Sequence, residues 1–306
     1  MSEEPIEHGT PKAPSNLATG LIKAIRPRQW VKNVLVVVAP LAAGRDQLEF
    51  VSFGNVAIAF VAFCLAASSI YLINDALDVE ADRAHPTKRY RPIAAGVVPV
   101  NLAYALAVVL AAAAIGISLV ANGQLAIVIG VYLAIQLGYC LGLKHQPVID
   151  ICIVSSGFLL RAVAGGVAGE LPKGLSQWFL LVMAFGSLFM AAGKRYAELQ
   201  LAERTGAKIR KSLEYYTTTY LRFVWTLAAT AVVLCYGLWA FDTTKHPNNI
   251  WYTLSMVPFT VAILRYAVDV DGGEAGEPEE IALGDRVLQV LAVMWIGAVV
   301  AAVYVA

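Results

Sequence analysis

Charge is the scarcest property of this sequence. Only 15% of its 306 residues are Asp, Glu, Lys or Arg, against about 25% in a soluble globular chain, while 58% are hydrophobic and the mean hydropathy is +0.65. Cysteine is equally sparse. Cys64, Cys140, Cys152 and Cys235 each lie inside an apolar run with no CxxC spacing, which excludes a disulfide framework or a zinc site and leaves them as packing residues. The first residues, MSEEPIEHGTPKAPSNLATG, lack the apolar core and small-residue cleavage site of a signal peptide. Residues 1–19 read instead as a disordered polar tail ahead of a single domain over 20–306.

Long apolar runs are what the chain has in plenty. Nine of them lie at 33–45, 51–73, 99–120, 123–141, 148–169, 176–192, 219–241, 250–269 and 284–305. Each is long enough to cross a bilayer, about 17–24 residues, once the first is extended by the helix before it. Pro40 and Gly44 interrupt that first run. A soluble core produces one or two such runs, not nine, so the chain is an all-α polytopic membrane protein. The net charge of +1 hides an asymmetry between the two sets of loops. With the N-terminus on side one, that side carries nineteen Lys and Arg; side two carries three, and Arg161 lies within a span. The positive-inside rule then puts the N-terminus and every charged motif on the cytosolic side.

Large cytosolic loops follow the second and sixth runs. That spacing suggests two related helical halves, although YLINDALDVEAD and LFMAAGKRYAEL share only their position at the end of a span. The stretch DVDGGEAGEPEE, 269 to 280, has Asp at its first and third positions and Glu at its twelfth. Glu274 stands where a calcium-binding helix–loop–helix needs glycine, so an acidic surface loop is the better reading.

The densest anionic feature is NDALDVEAD, 74 to 82, where the second apolar run ends. If the helix continues for two more turns, Asp75, Asp78 and Asp82 fall within an arc of about 60° while Glu80 points away. One reading is a juxtamembrane helix salt-bridged to Arg83, Lys88 or Arg89. The other is a hard divalent cation, since magnesium takes few oxygen ligands from protein and fills the rest of its shell with water and substrate phosphates.

These residues carry a resemblance. NDALDVEAD fits the NDxxDxxxD signature of the UbiA-type membrane prenyltransferase superfamily, as Asn74, Asp75, Asp78 and Asp82. RPRQWVKN, 26 to 33, is similar to that superfamily's upstream motif. The resemblance implies nine helices around a central polar cavity open to the cytosolic face, and Mg2+ held by Asp75, Asp78 and Asp82. It also implies a multi-pass protein of the plasma membrane, with Gln29, Lys32 and Asn33 lining the cavity.

One family element is missing. Ordinary members carry a second aspartate-rich motif after the sixth span, and here that place reads AAGKRYAELQLAERTGAKIRK. Its core is basic, with Lys194 and Arg195 followed by Glu198. An acidic pole suits a metal-chelated diphosphate, whereas a basic pole suits a phosphate bound directly by Arg and Lys. Phosphoribosyl pyrophosphate has both ends. Nearby, Tyr139, Lys144 and Asp150 flank the turn between the fourth and fifth spans, and Arg161 lies three turns further on. An arginine at that depth costs at least ~2.5 kcal/mol unless paired or hydrated, so it is either ion-paired with Asp150 or another carboxylate, or lines a polar cavity.

The combination of these stretches resembles the branch of the superfamily that serves cell-wall arabinan synthesis. It implies transfer of 5-phosphoribosyl to a polyprenyl phosphate (decaprenyl phosphate) with release of pyrophosphate. Asn74 and the three aspartates would take the magnesium diphosphate, Lys194, Arg195 and Glu198 the ribose 5-phosphate, and Tyr139, Lys144 and Arg161 the acceptor phosphate, beside Asp150. The expected partners are those two substrates and the lipid bilayer. Nucleic acid is not among them, and self-association is left open. An aromatic prenyltransferase using a prenyl diphosphate would need the absent second acidic motif. A transporter would place its charges at the midplane, and a scaffold would leave the aspartate face unexplained.

Overall fold

The computed structural model describes residues 13–41, 51–206, 213–241, 250–272, 281 and 284–304. All regular structure among them is helical. In chain order the helices are α1 (Leu17–Ala24), α2 (Val34–Leu41), α3 (Phe53–Leu77), α4 (Val79–Ala84), α5 (Val100–Ala121) and α6 (Gly123–Leu141). There follow α7 (Ile149–Ala168), α8 (Gln177–Thr205), α9 (Thr218–Ala240), α10 (Ile250–Gly272) and α11 (Arg286–Tyr304). Short 3-10 turns stand at Pro27–Asn33, Lys88–Tyr90 and Leu143–His145. Seven helices, α3 and α5 to α10, are long and apolar enough to cross a membrane, and α11 holds a shorter apolar segment. The first predicted span is only partly described: α2 carries Pro40 within it, and 42–50 lie outside the described residues.

The chain divides into two compact units, residues 1–34 with 60–140, and 35–59 with 141–306. In the first unit α1 opens on a capping box, in which the Asn16 side chain accepts from the Thr19 amide at 2.9 Å. The helix therefore begins inside the stretch expected to be tail, while residues 1–12 lie outside the described residues. α5 and α6 are separated by the single extended residue Asn122, whose side chain caps α6 by accepting from the Leu125 amide at 2.8 Å. The buried positions of α5 are the small residues Ala103, Ala107, Ala114 and Ser118, whereas Val108, Leu119 and Val120 face outward. That inverts the soluble pattern and is how membrane helices pack, with small residues inside and bulk toward lipid. A core of Leu72, Ile93 and Val98 with Ala24, Ala76 and Ala103 seats α1 and the 91–98 turn against the end of α3.

In the second unit α8, α9 and α10 surround a core of Phe189, Tyr196, Leu221, Trp225, Tyr266 and Val270. α2 approaches α7 at Gly165, where a Cβ would stand 2.0 Å from the Val36 carbonyl oxygen. Only glycine admits that contact. α8 continues past the predicted sixth span to Thr205, so Lys194, Arg195 and Glu198 lie on helix. Asp269 and Asp271, expected on an acidic loop, are in the last turn of α10; residues 273–280 lie outside the described residues.

Candidate active site

The acidic motif forms near the end of α3, as its spacing requires. The helix breaks at Asp78 (φ −91°, ψ 10°), yet the ladder runs through it, with the Asp78 amide on the Asn74 carbonyl at 2.9 Å and the Asp82 amide on the Asp78 carbonyl at 2.8 Å. Asp75 and Asp82 are buried, at 2% and 3% exposure, while Asn74 and Asp78 are half-buried. Glu80 points outward and pairs with Arg83 at 2.7 Å.

Two buried carboxylates need counter-charge, and two arginines supply it. One guanidinium nitrogen of Arg26 donates to both Asp75 oxygens, at 2.6 and 2.8 Å. Arg91 Nη1 bridges Asp75 at 3.1 Å and Asp82 at 2.7 Å. The partners expected from the sequence were Arg83, Lys88 or Arg89. Arg83 instead serves Glu80 and the Ala94 carbonyl, and Arg89 donates to Tyr90. Arg26 reaches Asp75 from a left-handed backbone (φ 53°, ψ 61°), with its guanidinium 4.9 Å from the centre of the Tyr71 ring. A non-glycine residue held there stores strain that its surroundings must offset.

Behind Arg26 the 3-10 turn is fastened to α3. The Trp30 indole donates to Ser68 Oγ at 3.1 Å, Ser68 donates to the Ile25 carbonyl at 2.9 Å, and Asn33, wholly buried, donates to Cys64 Sγ at 3.2 Å. Gln29 and Lys32 are half-buried on the same turn. Asn33 is thus a packing residue of the turn and not a cavity surface, whereas Gln29 and Lys32 keep exposed atoms.

The donor set around Asp75 and Asp82 is all oxygen, and the two carboxylates converge on one cation, Arg91. Among the described residues no group of three or more His, Cys, Asp or Glu side chains stands ready to hold a metal. Two convergent carboxylates with Asp78 beside them suit a magnesium ion that arrives with phosphate oxygens of its own, since magnesium is held by one or two carboxylates plus substrate.

The basic motif is built in the second unit. Arg195, 7% exposed, donates through Nε to Asp150 at 3.4 Å and through Nη1 to Glu198 at 3.1 Å. Asp150, in the first turn of α7, has no exposed surface, and its other oxygen accepts from the Tyr216 hydroxyl at 2.5 Å. Asp150 is therefore an anchor for Arg195, contrary to its expected place beside the substrate. It does not pair with Arg161, whose Nη1 donates to the Gly157 carbonyl at 2.7 Å and whose guanidinium lies 5.8 Å from the Phe158 ring. Lys194 is half-buried, as is Lys144 on the 3-10 turn Leu143–His145; Tyr139, in the first unit, is half-buried on α6. The Tyr216 hydroxyl also accepts from the Val148 amide at 2.5 Å, and Val148 sits at φ 69°, ψ −47°, a strained position for a β-branched residue. Burial, reinforced by the Asp150 hydrogen bond, pushes the Tyr216 phenol well above its ordinary pKa.

Arg26, Arg91 and Tyr216 were not singled out by sequence reasoning. Both arginines lie close in sequence to motifs that carry the resemblance, Arg26 at the head of RPRQWVKN and Arg91 nine residues after Asp82, and the need for opposite charge against three aspartates is the signal that points to them. Tyr216 lies 66 residues from Asp150, and nothing local marks it.

Fold and site together define an all-helical protein rich in apolar helices, with charged clusters suited to phosphate-bearing substrates. The chain belongs to the UbiA prenyltransferase family, which it matches over residues 34–283. It is 67% identical to the decaprenyl-phosphate phosphoribosyltransferase of Mycolicibacterium smegmatis, over 99% of this chain and 98% of that one. To the protein of the same name in Mycobacterium tuberculosis it is 64% identical, over 99% of both. Among solved structures it superposes on a UbiA homolog from Archaeoglobus fulgidus bound to GPP and Mg2+ with a TM-score of 0.68, at 14% identity, covering 92% of this chain and 98% of that one.

Proposed function

We propose that this protein transfers the 5-phosphoribosyl group of phosphoribosyl pyrophosphate to a polyprenyl phosphate, decaprenyl phosphate by analogy with its named relatives. In the reaction a lipid phosphate oxygen forms a bond to the anomeric carbon of the ribose. The bond from that carbon to pyrophosphate breaks, and pyrophosphate leaves with the bonding electrons. A phosphate monoester is already anionic at neutral pH, so no strong base is required. What remains is to bring polyanions together and to stabilise the leaving group.

The observation that carries this reading is the exchange of a second carboxylate motif for Lys194 and Arg195 on α8, in a chain two-thirds identical to phosphoribosyltransferases over its whole length. Asp75 and Asp82, with Asp78 and Asn74 beside them, would hold Mg2+ together with the donor's diphosphate. A bound magnesium ion would supply Lewis-acid stabilisation of the departing pyrophosphate. Arg91 and Arg26 supply counter-charge to the two buried carboxylates and hold them in register. Lys194 and Arg195 take the 5-phosphate, with Glu198 orienting Arg195, and Asp150 positions Arg195 from behind. Lys144, Arg161 and Tyr139 serve the acceptor phosphate, and Gln29 and Lys32 line the polar cavity. The domain is the whole chain after its polar tail, with nine spans in the plasma membrane and the reaction on the cytosolic face.

The test is direct. Membranes carrying the protein, given magnesium, labelled phosphoribosyl pyrophosphate and a polyprenyl phosphate, should move label into the organic phase. Label that moves only when a prenyl diphosphate and an aromatic acid are supplied would instead make the protein an aromatic prenyltransferase.

A further inference from the structure

At one end of the second unit, where α9 begins and α10 ends, the two helices enclose an open groove of about 410 Å³. One wall is apolar, formed by Leu264, Ala267 and Val268; the rest is Arg222, Trp225, Thr226 and Asp271. Arg222 and Asp271 stand 2.9 Å apart and are both more than half exposed. Tyr196 braces the pair from α8. Its hydroxyl donates to Asp271 at 2.9 Å and accepts from Arg222 at 2.5 Å and from Gln200 at 2.9 Å. Trp225 is only 9% exposed, and its indole N–H is buried with no hydrogen-bond partner among the described residues. A buried N–H left unpaired is costly, and it marks a place where an acceptor belongs.

We propose that this groove holds the head of a zwitterionic aminophospholipid. Its depth is right: Arg222 is in the second turn of α9 and Asp271 in the last turn of α10, the level at which a membrane helix meets headgroups. Its charges are right as well. A purely anionic head would meet the Asp271 carboxylate beside Arg222, whereas a phosphoethanolamine head matches both. The lipid phosphate accepts from Arg222, Trp225 Nε1 and the Thr226 hydroxyl, while the ammonium donates to Asp271. A primary ammonium forms those hydrogen bonds and a trimethylammonium cannot. The acyl chain follows Leu264, Ala267 and Val268 into the bilayer. None of these residues belongs to either charged cluster of the candidate active site, so the groove stands or falls independently of the transferase reading.

Native mass spectrometry of the full-length protein in detergent tests this, with phosphatidylethanolamine, phosphatidylcholine or phosphatidylglycerol of matched acyl chains added in turn. Loss of one charge-assisted hydrogen bond corresponds to about tenfold in affinity. Phosphatidylethanolamine adducts should therefore exceed the other two by about tenfold. Arg222→Ala should remove the preference, and Asp271→Asn should bring phosphatidylethanolamine down to the level of phosphatidylcholine. Trp225→Phe keeps the ring in its core and deletes only the N–H, so it should weaken adducts even if Arg222→Ala fails to fold. Equal retention of the three lipids, a preference for phosphatidylglycerol, or adducts indifferent to Trp225→Phe would overturn the assignment. So would an absence of adducts alongside an oligomer that these variants dissociate, since the groove would then be covered by a second copy of the chain.

Discussion

The Tyr216 hydroxyl donates to the buried carboxylate of Asp150 at 2.5 Å and accepts the Val148 amide at the same distance, joining the α8–α9 connection to the turn before α7. Tyr216→Phe would leave a buried carboxylate oxygen and a backbone N–H without partners. The expected cost is about 1–3 kcal/mol of stability, read as a lowered Tm. The sign with pH is also fixed. The unfolded chain releases the phenol proton near 10.0 while the folded protein retains it, so this contribution is complete below that pH and is lost as pH rises above it. Wild-type Tm should therefore fall more steeply than that of Tyr216→Phe from about pH 9.5 to about pH 11. Parallel curves would remove the hydrogen bond from the account.

Val148 supplies a second test. Its positive φ of 69° suits glycine and strains a β-branched side chain. Val148→Gly should raise stability by about 1 kcal/mol, the relief of strain exceeding the added chain entropy. Val148→Ala keeps a Cβ and should gain nothing. A destabilised glycine variant would show that the turn is held by the valine side chain and not in spite of it.

Gly165 tests the packing of α2. A methyl group there would meet the Val36 backbone oxygen, which has no rotamer to escape into. Gly165→Ala should cost about 3 kcal/mol or prevent accumulation of folded protein, whereas Gly54→Ala, whose Cβ meets nothing within 4 Å, should be tolerated. Both are measured by yield and Tm in detergent.

The aspartate cluster gives a catalytic prediction. Asp75→Ala and Asp78→Ala should each abolish transfer and its magnesium dependence, and retained activity in both would remove the metal from that place. Arg91→Lys keeps the charge but loses the planar group that spans two carboxylates. Its turnover should drop by about tenfold, equal to about 1.4 kcal/mol in the barrier. An unchanged rate would reduce Arg91 to a bystander.

Lys194→Ala should raise the concentration of phosphoribosyl pyrophosphate needed for half-maximal rate more than that of the lipid. The opposite pattern would move Lys194 to the acceptor side.

The helices were legible because lipid leaves a composition signature that needs no partner: uninterrupted apolar length. The Asp75–Asp82 face was legible for a similar reason, since helical spacing alone lines those residues up, and the break at Asp78 does not undo the i to i−4 ladder. The counter-ions were not. Arg26 meets Asp75 across 49 residues through a left-handed backbone that nothing in RPRQW announces. Asp150 looked like a partner for Arg161 on its own helix, but its carboxylate is committed to Arg195 and Tyr216 from elsewhere in the unit. Local pattern carries periodicity; it does not carry long-range pairing.

The 29-residue length of α8 has a last consequence. At 1.5 Å per residue the rod measures about 44 Å, well beyond the ~30 Å of oil it crosses. Its final turns must stand in the aqueous film above the bilayer, and Lys194 and Arg195 fall near that crossing. Under the proposed function a sugar phosphate would dock there without ever being dehydrated by hydrocarbon, and a lipid phosphate would arrive without its tail leaving the oil. One stiff element would thus let two molecules that share no common solvent react at a seam between phases.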